Sequence, residues 1–145
     1  MSWPPLLKSS SFFSIAFMAC LGACSESGLI FKGPVVRVPL PGQDITVAYF
    51  VVSNPTAAEV ILTGAFARGV RAIQMHETTT DPDSSMTRMR RMDVVRIPPG
   101  EVVSFRPGGL HLMLFGVADL PERVSITLEF AERESITVNF SQQAY

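Results

Sequence analysis

The chain has 145 residues, 47% of them hydrophobic and 17% charged, with 12 basic against 13 acidic side chains. That length holds one domain with a self-sufficient core, and the composition is that of a folded chain rather than a disordered one. A formal net charge of −1 argues against a nucleic-acid binder, which needs a basic face for phosphates.

Residues 1–23 read as a leader. Lys8 is the one side-chain cation near the start, and residues 12–23 are an apolar run too short to span a bilayer. The run ends in Leu21-Gly22-Ala23-Cys24, which resembles the lipobox of bacterial lipoprotein signals. In such signals the peptidase cuts before the cysteine and the thiol carries the lipid. The plainer alternative is a secretory signal with an incidental cysteine. On the lipobox reading, Cys24 is the lipidation site, residues 24–28 are a tether and residues 29–145 are the domain. Lys8 and Cys20 leave with the leader, so the domain carries 11 basic against 13 acidic residues and has neither free thiol nor disulfide.

Beyond the tether, short strands are punctuated by Pro and Gly. Residues 35–38 form the first, bounded by Pro34 and Pro39. Residues 45–53 are apolar, rich in β-branched side chains, and stop at the Asn54-Pro55 turn signal. They read as a strand covered on both faces. Residues 60–63 follow, with Gly64 marking a bulge. Residues 72–77 are the next strand, residues 78–85 a loop rich in Thr, Asp and Ser, and residues 86–91 pair back as a hairpin. Further strands are expected at residues 94–97, 102–105 and 110–117. In the last third Val124, Ile126, Leu128 and Phe130 alternate with polar neighbours, as do Ile136, Val138 and Phe140. Period two means one buried and one wet face. No segment carries a convincing helical stripe. The expected fold is an antiparallel β-sandwich with Greek-key connections.

The soft metal-binding side chains are unevenly placed. Both histidines, His76 and His111, lie within residues 75–113, as do all methionines except Met1 and Met18 of the leader. Imidazole plus thioether is an uncharged, soft ligand set that suits copper, Cu(I) above all. Thioethers also suit an oxidising compartment, because they neither pair nor need deprotonation. His111 and Met113 are two apart on a strand, so they share a face, while Leu110, Leu112 and Leu114 point to the core. His76 is expected where a strand meets the 78–85 loop, with Met89 just after that loop. Loop ends of a sandwich could then gather His76, Met89, His111 and Met113 at one pole.

Plainer roles compete. Methionine is mostly a gap-filler in cores, which is the default for Met75, Met86 and Met92. Arg88, Arg90 and Arg91 read as a solvated face. Asp81 and Asp83 lack the third carboxylate of a calcium loop. No Ser-His-Asp set, phosphate loop or HExxH motif is present, so an enzyme is not expected. The alternative outside metal handling is a lipid-anchored structural or interaction β-sandwich.

The series Met75-His76-Glu77, Met89-Arg90, Ile97-Pro98-Pro99-Gly100 and Pro107-Gly108-Gly109-Leu110-His111-Leu112-Met113-Leu114 resembles the periplasmic copper chaperone family called PCuAC. That family's signature is a His, a Met after a loop, then His-x-Met after a fixed stretch. Here 21 residues separate Met89 from His111, as in the family, but 12 separate His76 from Met89, two more than its pattern. This leaves Met86 and Met89 as rivals for the third ligand, and Met89 keeps the second interval intact. Leu110 stands where an aromatic residue is common, and the chain ends without the His/Met-rich tail of some members.

The resemblance implies a cupredoxin-like sandwich that binds one Cu(I) through His76, Met89, His111 and Met113. It implies a periplasmic, membrane-anchored lipoprotein that delivers copper towards cytochrome c oxidase assembly. The acceptor would be subunit II or a thiol-bearing assembly factor. Blue-copper electron transfer would need a Cys ligand, which the domain lacks.

Overall fold

The structure, a computed structural model, describes Met1 and residues 28–117 and 119–144. Residues 2–27, which hold Cys20 of the expected leader and Cys24 of the expected tether, lie outside the described residues. All regular structure among them is β: β1 (Ile30–Arg37), β2 (Ile45–Ser53), β3 (Val60–Ala67), β4 (Ala72–Thr80), β5 (Thr87–Met92), β6 (Val95–Ile97), β7 (Val102–Phe105), β8 (Leu110–Phe115), β9 (Arg123–Phe130) and β10 (Arg133–Gln143).

The strands follow one another in the order β5-β4-β8-β7-β2-β1-β10-β9-β3-β6, and β8 also pairs with β2. Consecutive strands β3 and β4 sit far apart in that order. They are joined by a tight turn in which Val70 N–H donates to Ala67 O at 3.4 Å. The ladder therefore folds back on itself into two layers, the cupredoxin-like Greek-key sandwich. Two pairings, β1 with β10 and β7 with β8, are parallel, so the expected antiparallel order holds for the others only.

The core follows from alternation. Val36, Ala48, Val52, Leu112, Leu114, Ile126, Leu128 and Phe140 are wholly buried, and each belongs to the inward row of its strand. Phe50 of β2 stacks on Phe105 of β7, with centroids 4.3 Å apart, and meets Phe140 of β10 edge-on at 5.7 Å. The first contact joins directly opposed residues of neighbouring strands, and both add to the core beyond area burial. Asn54 is fully buried where β2 ends. Its Nδ2 donates to Ala58 O and Ile97 O at 2.8 and 2.9 Å, and its Oδ1 accepts from Thr56 Oγ1 at 2.6 Å. The Asn54-Pro55 turn is thus pinned to the end of β6.

Three strand readings need correction. β1 begins at Ile30 rather than at residue 35, with its register to β2 shifting between Lys32 and Val35. β2 has the expected bounds, but only its Thr46, Ala48, Phe50 and Val52 row is buried; the Val47, Tyr49 and Val51 row is half-exposed. The expected 78–85 loop is shorter, because Thr78, Thr79 and Thr80 extend β4 and pair with Met89, Arg88 and Thr87. Threonine is β-branched and fits a pleated strand, so the polar composition there marks an exposed ribbon. The turn begins at Asp81, whose Oδ1 accepts from the backbone N–H of Asp83 and Ser84 at 2.9 and 3.0 Å. Ser85 closes it in the left-handed region, at φ 55°.

Candidate metal centre

β4 and β8 are adjacent antiparallel strands. Met75 is 4% exposed and Leu112 and Leu114 are wholly buried, which fixes the inward row of each. By alternation His76, His111 and Met113 stand on the outward face. The register sets His76 directly opposite His111 and Gln74 opposite Met113. Directly opposed residues have Cβ atoms roughly 5 Å apart, and the imidazole centroids lie 5.9 Å apart with planes at 56°.

β5, on the far side of β4, sets Arg91 opposite His76 and Met89 opposite Thr78. Met89 therefore shares the outward face and lies two strand positions from His76, about 7 Å along the strand. Its side chain is 54% exposed on the edge of the sheet. Met86 is placed differently. Its carbonyl accepts from Asp81 N–H at 2.9 Å, in the turn beyond the last paired residues Thr80 and Thr87 and five positions or about 17 Å beyond His76. Met75 and Met92 pair with each other across β4 and β5; Met75 is in the core and Met92 packs against it.

His111 is 4% exposed although it faces outward. Its Nδ1 lies 3.0 Å from Gly109 O, an acceptor, so Nδ1 carries a proton and Nε2 is the nitrogen that the neutral ring can offer a metal. Gly109 O also accepts from Thr78 N–H at 3.0 Å. One carbonyl thereby fixes the ring of His111 and the backbone of β4. The turn before it is dictated by sequence. Gly109 N–H donates to Arg106 O at 3.1 Å, with Pro107 and Gly108 as central residues. Gly108 has φ 74°, the type II geometry that asks for Pro then Gly.

His76 is held from the other side. Its Nε2 lies 3.1 Å from Gln74 Oε1, and its Nδ1 is buried without a hydrogen-bond partner. Phe115 lies beside the ring, with centroids 6.4 Å apart. Burial, then the neighbouring His111, then Arg91 hold its pKa below the ordinary 6.5. His76 is therefore a neutral base at physiological pH, the form that binds metals.

The structure thus brings His76, His111, Met113 and Met89 to one face of β8, β4 and β5. It does so on the sheet face rather than at a loop end. His76 is the fifth residue of the nine-residue β4, because the threonines after it continue the strand. Of the arginines read as solvated, Arg90 pairs with Glu77 at 2.7 Å, while Arg91 flanks His76. Gln74 and Phe115 were missed, although the two-residue spacing of Gln74 from His76 was a signal that they share a face. Among the described residues no three His, Cys, Asp or Glu side chains gather; the soft donors that share the face of the two imidazoles are the thioethers of Met113 and Met89.

Comparison with known proteins adds the following. The profile of the family described as "Putative lipoprotein LpqE-like" matches residues 29–141. The chain is 31% identical over 98 residues to "Putative lipoprotein Lxx21020" of Leifsonia xyli subsp. xyli; this covers 66% of the chain but 58% of that relative. Among solved structures it is similar to the copper-bound PCuAC domain from PmoF2, with TM-score 0.68, 24% identity, and 81% and 94% of the two chains covered. It is also similar to apo-DR1885 from Deinococcus radiodurans, with TM-score 0.59, 21% identity, and 100% and 96% covered. The Cu(I) form of DR1885 matches with TM-score 0.55 and 22% identity over 86% and 82%.

Proposed function

We propose, from the premise that this chain belongs to the LpqE-like lipoprotein family, that it is an extracytoplasmic copper chaperone. On this reading it is anchored to a membrane by lipid on Cys24 and carries one Cu(I) on His76, Met89, His111 and Met113. The observation that carries the reading is the opposed pair of imidazoles, one of them with a buried ring nitrogen that no protein group satisfies. A buried polar atom without a partner is costly, and a metal ion would remove that cost. The shared fold of proteins whose structures were solved with copper or Cu(I) bound supports the choice of ion.

The donor set explains why the cargo would be cuprous and why it would leave. Two imidazoles and two thioethers are neutral, so the bound ion keeps its single positive charge, and soft sulfur prefers Cu(I). With no thiolate in the site, a thiol-bearing acceptor binds the ion more strongly. The ligands also differ in access. His111 is buried and tied to Gly109, whereas Met89 is exposed on the edge strand. An incoming acceptor would displace Met89 first and take the ion from the β5 side, with no redox step in this protein. The acceptor class is a copper-requiring oxidase subunit, subunit II of cytochrome oxidase, or its thiol-bearing assembly factor.

Anaerobic Cu(I) titration of the full chain against a chromogenic chelator tests the proposal. One equivalent should bind. Failure to compete for any Cu(I), or saturation only at several equivalents, would refute it.

A further inference from the structure

The two imidazoles are held by different nitrogens. His111 has its proton on Nδ1, facing Gly109 O at 3.0 Å. His76 has Nε2 at 3.1 Å from Gln74 Oε1 and an unpartnered, buried Nδ1. The amide oxygen of Gln74 accepts only, so the bond requires the proton on Nε2. The other tautomer would bury an Nδ1–H donor with no acceptor, and would keep its bond to Gln74 only if the amide turned over to donate.

We propose that Gln74 is a positioning residue: it holds the proton of His76 on Nε2, so that His76 offers a metal its Nδ1 lone pair while His111 offers Nε2. This rests on the copper reading above for the identity of the ion. Gln74 belongs to the same outward row of β4 as His76 and stands opposite Met113 in register, so its amide is part of the face the ion would occupy. Its role is that of the outer-shell acceptors that fix the tautomer and orientation of metal-binding histidines, except that here the proton is held on the distal nitrogen.

The test uses the full chain labelled with 15N. Ring correlation spectra of the copper-free protein report which nitrogen of each histidine carries the proton, and Cu(I), being diamagnetic, allows the same spectra after loading. The expected result is a protonated Nε2 on His76 and a protonated Nδ1 on His111, with loading perturbing the opposite nitrogen of each ring. Gln74→Leu should mix the His76 tautomers and weaken Cu(I) binding about tenfold to a hundredfold. Gln74→Glu keeps an acceptor and should restore both the tautomer and most of the affinity.

An unchanged His76 tautomer in Gln74→Leu overturns the proposal. So does a changed tautomer with unchanged Cu(I) affinity, or loading that perturbs Nε2 of His76. Wild-type protein that takes up no Cu(I) overturns the copper reading and this proposal with it. That failure is distinguishable, because the copper-free tautomer comparison is read without any metal.

Discussion

Replacing Met89 with Leu should weaken Cu(I) binding, whereas Met86→Leu should leave it unchanged. The two residues are three apart, both 54% exposed, and sequence spacing alone leaves them rivals. The register separates them. Met89 sits opposite Thr78, on the face of His76 and about 7 Å along the strand from it; Met86 lies in the turn, bonded to Asp81 N–H about 17 Å away. A methionine side chain is too short to close that gap. Loss of a directly bound thioether should cost at least what loss of an outer-shell partner does, about tenfold to a hundredfold in affinity, or about 1.4–2.8 kcal/mol. Leu for Met conserves volume, and substitutions at exposed positions change stability by about 0.5 kcal/mol or less, so folding does not confound the comparison. The assay is chelator competition on wild type and both variants, with copper-free thermal midpoints in parallel. Equal affinities in wild type and Met89→Leu, or a larger loss in Met86→Leu, would refute the ligand assignment.

His111→Ala should abolish stoichiometric Cu(I) binding in the same competition; retained one-equivalent binding would remove His111 from the site. Acid should destabilise the copper-free protein through His76. Its pKa is lowered on folding by burial, by His111 and by Arg91, so the unfolded chain binds the proton more readily. The associated stability is present above about pH 6.5 and lost as pH falls through the lowered folded value. Thermal midpoints should fall on acidification from about pH 7 to about pH 5 more steeply in wild type than in His76→Gln; parallel profiles would contradict this. Asn54→Ala should cost about 1–3 kcal/mol, because Ile97 O and Thr56 Oγ1 lose a buried partner; a denaturant midpoint equal to wild type would show that the turn does not depend on it. Cys24→Ser should release the protein from membranes to the soluble fraction, and unchanged membrane association would exclude the lipid anchor.

Much of the fold is legible wherever a local rule decides it. β2 begins and ends where its apolar run and the Asn54-Pro55 signal say, and the register of β3 shifts between Leu62 and Gly64, where glycine marked a bulge. His111 and Met113 share a face because strand periodicity is two. Pro107-Gly108 writes a type II turn directly. What is not legible depends on register between distant strands. Nothing local says that His76 stands opposite His111, since that follows from the pairing of β4 with β8 across 34 intervening residues. The threonines after His76 looked like a loop because their polarity outweighed their β-branching; pairing with β5 decided otherwise and moved the candidate site from a loop end to a sheet face. The parallel contact of β1 with β10 is likewise a tertiary choice that no turn signal encodes.

X-ray absorption at the copper edge of the Cu(I)-loaded protein tests the central claim most directly, because it counts nitrogen and sulfur neighbours around the ion. Two imidazole nitrogens and two thioether sulfurs are predicted, with one sulfur lost in Met89→Leu. A shell of sulfur alone, or one of nitrogen and oxygen without sulfur, would contradict the account.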